Sequence, residues 1–130
     1  MTTRPHKNLI VWQEAIGFVK HIYSLTSKFP EAEKFGLVSQ LRRAAVSVPT
    51  NIAEGSARNT KKEFIQFLYI ASGSLSEVDT LLTISTEINY ISSKEYAIAL
   101  EMQGKISALL NGLIKKLKND IKKVSDEGIK

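Results

Sequence analysis

The sequence predicts an all-α protein that folds as an antiparallel up-down-up-down four-helix bundle, and three observations predict it. Apolar residues recur every three or four positions over long stretches, with no run of two-residue alternation. Only 3 prolines and 7 glycines interrupt the 130 residues. The apolar stripes divide into four helices, joined by short connections that favour such a bundle. The predicted helices cover about 8–27, 34–57, 61–88 and 93–124.

Composition restricts the classes of protein to which the chain can belong. With 43% hydrophobic and 24% charged residues it has the composition of a globular protein. No stretch approaches the roughly 18 uncharged apolar residues of a membrane span. Gln13 and Glu14 interrupt the only apolar run near the start, which argues against a secretion signal. We therefore expect a single domain over residues 1–130, a cytoplasmic location and no membrane partner.

Charge and cysteine content narrow the chemistry further. The formal net charge of +5 is compatible with nucleic-acid binding without being diagnostic of it. The chain contains no cysteine, which excludes disulfides, thiolate zinc sites and thiol catalysis.

The first predicted helix begins at Asn8, a residue type that favours the N-cap. Its expected buried stripe has helical spacing and consists of Leu9, Trp12, Ile16, Val19 and Tyr23. Phe29 follows in the connection, where we expect it to pack on the core.

The second predicted helix contains Pro49. Its apolar sector consists of Val38, Leu41, Ala45, Val48 and Ile52, and it crosses the proline without losing phase. This continuity predicts one helix bent at Pro49, in which the Thr50 hydroxyl donates to the carbonyl of Val46. Two short helices broken at Val48 remain the alternative, because the residue before a proline disfavours the α region.

Capping boxes open the last two helices, at Thr60 with Glu63 and at Ser92 with Glu95. The third helix ends at Asn89-Tyr90 and carries a wide apolar face. Its main stripe is Phe64, Leu68, Ala71, Leu75, Val78 and Leu82, and a second stripe is Phe67, Ile70, Ser74, Leu81, Ile84 and Ile88. So wide a face predicts that another subunit covers part of it.

Small residues also lie in the third helix, from Ala71 to Ser76, and they allow another backbone to approach closely. We expect Gly73 to have a packing reason, because glycine inside a helix costs about 1 kcal/mol relative to alanine. The stripe expected on the fourth helix is Tyr96, Leu100, Gln103, Leu110, Leu113, Leu117, Ile121 and Val124.

Several motifs in one order resemble a known family. They read LIVWQEA, IYSLTSKFP, EKFGLVSQLRRAAVSVPTNIAEGSAR and EFIQFLYIASGSLSEVDTLL. Together they resemble the four-helix bundle proteins encoded in intervening sequences of bacterial 23S rRNA genes, closely over about residues 8–90 and only in kind in the fourth helix. The family is similar to the accessory protein of diversity-generating retroelements, a basic bundle associated with nucleic acid. The resemblance implies a ring-like homopentamer and no known activity.

The second helix carries an unusual polar row opposite its apolar sector. The row consists of Arg43, Ser47, Asn51, Glu54 and Arg58, with Arg42 beside it. Arginine, asparagine and glutamate in a row favour fixed hydrogen-bond geometry. Three interpretations stay open: a network that holds a neighbouring subunit or helix, a phosphate-binding face, or an ordinary exposed face. Arg43 lies too far from Glu54 to pair within the helix, whereas Arg58 can pair with Glu54.

A cluster of lysines marks the fourth helix. It consists of Lys115, Lys116, Lys118, Lys122 and Lys123. Because leucine, isoleucine and valine occupy the other side, these lysines are interpreted first as the solvent face. In a pentamer the repeated charges would produce a substantial field, which would favour RNA or another polyanion.

No residue pattern indicates catalysis. The two histidines, His6 and His21, precede the second helix, so the Glu-x-x-His pairs of a di-iron bundle are missing. We expect no enzyme, no metal and no cofactor. The sequence favours a non-catalytic oligomeric component for binding or scaffolding, with RNA or another polyanion as candidate partner. A purely protein–protein scaffold is the alternative.

Overall fold

The computed structural model describes the backbone of residues 5–128 and the side chains of residues 6–124. Four helices form the fold: α1 (Ile10–Thr26), α2 (Leu37–Ser56), α3 (Lys61–Glu87) and α4 (Ser93–Gly128). Short 3-10 turns precede α1 and α2, at Pro5–Asn8 and Glu31–Glu33. No strand occurs within residues 5–128, so the prediction of an all-α four-helix bundle is confirmed.

Helix α1 begins later than predicted and buries a different side. Asn8 closes the 3-10 turn, and extended Leu9 takes the N-cap position without a side-chain hydrogen bond. The residues turned into the core are Val11, Ala15, Phe18, Ile22 and Leu25. The predicted stripe was wrong in part, since Ile16 and Tyr23 are exposed. Both stripes are apolar at helical spacing, so periodicity alone could not choose between them.

Helix α2 continues through Pro49, as predicted, and does not break at Val48. The Thr50 hydroxyl donates to the Val46 carbonyl oxygen at 2.8 Å. This bond occupies a carbonyl in the turn where proline removes a backbone donor. All five residues of the predicted sector are buried, whereas the bend itself stays a prediction.

Side chains and backbone geometry fix the ends of α3 and the start of α4. The Glu63 amide donates to the Thr60 hydroxyl at 3.1 Å, and Ser92 and Glu95 bond reciprocally at 2.9 and 3.1 Å. Asn89 has a φ of 66°, and the Tyr90 amide donates to the Ser85 carbonyl at 2.8 Å. This left-handed C-terminal turn ends α3 where the sequence predicted.

The helices pack in a closed order around one core. Among the described residues, α2 packs on α1 and α3, and α4 packs on α3 and α1, whereas α1 does not reach α3. Tyr96 at the start of α4 donates to Asp79 in the second half of α3, and Lys118 near the other end of α4 donates to Tyr69. These two contacts fit opposite directions of α3 and α4, whereas the antiparallel order of the whole bundle stays a prediction. Phe29 is buried against Tyr90, as expected for the first connection.

Two expectations about α3 and α4 need correction. The core side of α4 consists of Ala99, Ile106, Leu110, Ile114 and Leu117, whereas Leu100 and Val124 are exposed. A Cβ built on Gly73 meets no atom within 4 Å, so this glycine has no packing reason within the described chain. The close approach occurs instead at Gly55 of α2, where a Cβ would lie 2.7 Å from the Phe67 Cβ and 2.9 Å from the Phe64 ring.

Candidate functional site

The polar row of α2 divides between two neighbouring helices, and its middle faces α3. The Ser47 and Ser74 hydroxyls share a hydrogen bond of 2.8 Å, which joins α2 to α3. The Asn51 side-chain amide donates to the Ser47 carbonyl at 2.8 Å and to its hydroxyl at 2.9 Å. Both Ser47 and Asn51 are half-buried. Ser47 therefore joins two helices of one chain, and Asn51 bonds to it from within α2.

The end of the row lies on α3 as well. The Arg58 guanidinium donates to the Glu54 carboxylate at 3.1 Å, one turn back along α2. Its carbon also lies 4.7 Å from the centre of the Phe67 ring. Stacking on the ring fixes the arginine over α3, but both partners of the ion pair are exposed, so the pair contributes little to stability.

Arg42 turns the other way, to the C-terminal end of α1. Its Nε donates to the Thr26 hydroxyl at 3.0 Å, and a terminal nitrogen donates to the Tyr23 carbonyl at 3.4 Å. The guanidinium lies 4.4 Å from the centre of the Tyr23 ring. A cation at the last carbonyls of a helix is favourable because of the helix dipole. Arg42 therefore caps α1.

Arg43 is exposed on the outer ridge of α2, unlike its neighbour in sequence. It lines a small cleft between α2 and α3 with Ser74 and Glu77. It also lines a larger cleft between α1 and α2. Of the predicted row, Arg43 and Ser47 line both clefts. Ser47 is half-buried, so Arg43 is the exposed member of the two.

The larger cleft, here called the α1/α2 cleft, has a volume of about 700 Å³ and is mostly apolar. Phe35 at its rim is 90% exposed, an unusual position for a phenylalanine. Three cations but no carboxylate line it, since its residues are Tyr23, Lys34, Phe35, Val38, Ser39, Arg42, Arg43, Val46, Ser47 and Thr50. A smaller apolar cleft of about 360 Å³ continues along the same two helices past Ile16, Val19 and Pro49.

The five lysines of α4 are all exposed, and α3 brings further cations beside them. Lys118 donates to the Tyr69 hydroxyl at 2.6 Å and lies 5.2 Å from the centre of its ring. Lys61 at the start of α3 pairs with Asp120 of α4 at 3.6 Å. The start of α3 and the lysine-rich part of α4 therefore form one basic end of the bundle, together with exposed Lys62.

Two titratable groups have shifted pKa values, both near the connections at the other end. Lys28 and the backbone amide of Ser92 hold the pKa of Glu95 below its usual value, because they stabilise the carboxylate. The hydrogen bond from the Tyr90 hydroxyl to Glu33, 2.9 Å long, raises the pKa of Tyr90. Glu95 joins α4 to the connection between α1 and α2, and Tyr90 joins the connection after α3 to the 3-10 turn before α2.

Within residues 6–124, no group of three or more histidine, aspartate or glutamate side chains is placed to hold a metal ion. None of the helices in the described part of the chain combines the length and apolarity required to cross a membrane. His6 stacks edge-on against Trp12, with ring centres 5.0 Å apart.

Sequence reasoning missed part of this surface. Helical spacing predicts core or interface packing for Tyr23, and neither Lys34 nor Phe35 is predicted to line a site. The sequence contains one indication of this surface, the pair of Lys34 and Phe35 directly before Gly36. A phenylalanine beside the start of a helix is expected either to pack into the core or to contact a partner. Lys61 and Lys62 were also missed, since only the folding of α3 against α4 brings them to the lysine cluster.

Comparisons with known proteins agree with this fold. A family described as 23S rRNA-intervening sequence protein matches residues 7–112. The chain is also similar to a crystal structure from Bacteroides thetaiotaomicron, a protein with unknown function from the S23 ribosomal protein family. The two share 25% sequence identity with a TM-score of 0.73, and the similarity covers 82% of this chain and 99% of that one. No curated protein matches the chain.

Proposed function

The chain belongs to the 23S rRNA-intervening sequence protein family, and from this premise we propose that it is a non-catalytic, self-associating cytoplasmic bundle that binds RNA. The observation that supports RNA binding is the basic end. There, Lys61 and Lys62 of α3 adjoin the five exposed lysines of α4, although more than fifty positions separate them in sequence. Phosphate groups of a polyanion would replace the solvent around these ammonium groups and release bound counterions.

The chemistry of this end favours backbone contacts over base recognition. Lysine is a flexible point charge, which suits phosphate better than the planar edge of a base. Tyr69 is half exposed among these lysines and offers a ring for a base, but Lys118 already lies over it. We therefore expect RNA binding that depends on charge and shape and depends little on sequence.

Fluorescence anisotropy with a labelled RNA stem-loop tests this proposal. The affinity should fall steeply between about 50 and 200 mM salt, because each neutralised phosphate contributes about 0.7 to 0.9 to the logarithmic slope. Replacing Lys115, Lys118 and Lys122 by glutamine should lower the affinity and reduce the slope by about two to three.

A charge-matched control removes three lysines elsewhere. Lys20, Lys28 and Lys94 are exposed and lie outside the basic end, so their replacement by glutamine should reduce the affinity much less. Equal losses in the two triple variants would mean that net charge alone attracts RNA. Absence of binding by the wild-type protein at low salt would end the RNA proposal.

A protein–protein scaffold without RNA is the second candidate, and the α1/α2 cleft favours it. Phe35, Tyr23 and Val46 leave a large apolar surface in water at this cleft. A phenylalanine that is 90% exposed beside other exposed apolar side chains favours a contact site here. Self-association is common to both candidates, and the homopentamer remains the expected form. Light scattering at micromolar concentration should give a defined oligomer, and a clean monomer would contradict self-association.

A further inference from the structure

We infer that the protein assembles head to tail: the α1/α2 cleft of one copy receives the outer face of α3 of a second copy. This inference rests on the self-association proposed above and specifies which surfaces meet. The outer face of α3 consists of Ile70, Gly73, Glu77, Ile84, Glu87 and Ile88, which recur at helical spacing.

The outer face of α3 carries isoleucines, as buried surfaces do, but these side chains are exposed to solvent. Ile70 is 51% exposed, and Ile84 and Ile88 are exposed to a similar degree. Gly73 lies among them with no atom within 4 Å of the place where its Cβ would stand. A glycine on an open helix face lets another backbone approach closely, as the proposed contact requires.

Charge makes the two surfaces complementary. The α1/α2 cleft contributes Lys34, Arg42 and Arg43 and no carboxylate. From Glu63 to Ser93, a stretch that includes nearly all of α3, the chain has no lysine or arginine. Glu77 and Glu87 are the exposed charges on the outer face of α3. Opposite charges around two apolar surfaces steer them together and disfavour the pairing of either surface with itself.

The two surfaces are also of similar length. Within one chain they approach each other at the small cleft lined by Arg43 and Glu77, but their apolar parts lie on different sides of α2. The outer face spans about 27 Å between Ile70 and Ile88, since a helix rises about 1.5 Å per residue. The clefts follow α2 from Val38 to Ala53, about 22 Å on the same basis. In one chain α3 lies on the far side of α2 from α1 and turns its isoleucines outward. The outer face of α3 that enters the cleft therefore comes from a second copy.

A contact between two different surfaces is heterologous, so it repeats from copy to copy and closes into a ring or continues as a filament. This property permits a decisive mixing experiment. Val46→Glu places a carboxylate in the cleft, and Ile84→Arg places a cation on the outer face of α3. Both positions are exposed, at 38% and 43%, so both variants should fold. Circular dichroism with cooperative thermal unfolding checks that they do.

Native mass spectrometry then measures how many copies each assembly contains. Each variant alone should be monomeric, since every contact needs both surfaces. An equimolar mixture should form a heterodimer with one copy of each variant, because one intact cleft and one intact α3 face remain. Val124→Glu, which places the same charge at an exposed valine of α4, should assemble like the wild-type protein.

The outcomes separate this inference from the self-association on which it rests. A monomeric wild-type protein would overturn both. A wild-type oligomer with no heterodimer in the mixture would overturn the head-to-tail contact alone. Assembly of Ile84→Arg on its own would also overturn it, because the cleft would then pair with itself or with another surface.

Discussion

The two sides of α2 differ in how they are closed. On the side of α3, Gly55 brings the backbone against Phe67, and Ser47 and Asn51 satisfy their polar groups within the chain. On the side of α1, a cleft of about 700 Å³ leaves apolar side chains in water. One helix thus has a side that its own chain completes and a side on which apolar groups stay in water, where the proposed contact would lie. The comparison separates residues that stabilise the fold from residues available for assembly.

The largest loss of stability should come from adding a methyl group on the side of α2 that packs against α3. Gly55→Ala puts a methyl group 2.7 Å from the Phe67 Cβ and 3.3 Å from the Phe64 carbonyl oxygen. Overpacking of this kind costs about 1–3 kcal/mol. Urea denaturation at one protein concentration measures the loss.

The control for Gly55 is Gly112→Ala in α4, where the new methyl group meets nothing within 4 Å. It should stabilise the protein by about 0.5–1 kcal/mol, because alanine favours the helix. The same sign at both glycines would contradict the closed packing of α2 on α3.

The next largest difference in stability should be that between an Arg42 variant and an Arg43 variant. Arg42→Leu removes the donor to Thr26, which is 2% exposed, and the cap on α1, so it should lower the free energy of unfolding by about 1–2 kcal/mol. Arg43→Ala should leave stability within about 0.5 kcal/mol, as at most surface positions.

Arg43 should matter for assembly, although its replacement barely changes stability. Arg43→Ala should weaken the oligomer more than Lys122→Ala does, because Arg43 lines the cleft and Lys122 lies on α4. Sedimentation velocity over a concentration series compares the two variants. Equal effects on the oligomer would mean that Arg43 is no part of the contact.

Gly73→Ala should separate folding from assembly. The methyl group has free space in the single chain, so helix stability should rise by about 0.5–1 kcal/mol. The same methyl group would obstruct a second copy on the outer face of α3, so the oligomer should weaken. Unfolding is best compared in the Val46→Glu background, where the chain is expected to be monomeric. A rise in both quantities would contradict contact at Gly73.

The smallest effect should be the pH dependence at Glu95. Its pKa is lowered in the folded protein by Lys28 and the Ser92 amide. A lowered pKa gives stabilisation that is present above the unfolded value of about 4.3 and is lost as the pH falls through the folded pKa. Glu95→Gln should therefore lower Tm slightly at pH 7, and the difference from the wild-type protein should disappear near pH 3. A difference that persists in acid would contradict the ion pair.

The sequence predicted the features that local chemistry determines. The capping boxes at Thr60 and Ser92, the end of α3 at Asn89 and the passage of α2 through Pro49 each follow from a few adjacent residues. Helix α2 was also oriented correctly, because its polar row and its apolar sector lie on opposite sides.

The remaining features depend on contacts between helices, which periodicity does not specify. In α1 the buried stripe is the one that contains Phe18 and Ile22, and Tyr23 is exposed. Arg42 and Arg43 are adjacent in sequence, but about 100° of rotation sends one to α1 and leaves the other on the ridge. The close contact at Gly55 depends on how α3 packs against α2, which the pattern of residues in α2 does not specify.

The chain contains no cysteine, so single introduced thiols can test the central claim directly. Val46→Cys in one batch and Ile84→Cys in another, distinguished by mass, are mixed and treated with a short bismaleimide. The account predicts cross-links mainly between the two different variants, with few in either variant alone or with Val124→Cys. Equal cross-linking of Val46→Cys with itself would contradict a head-to-tail contact.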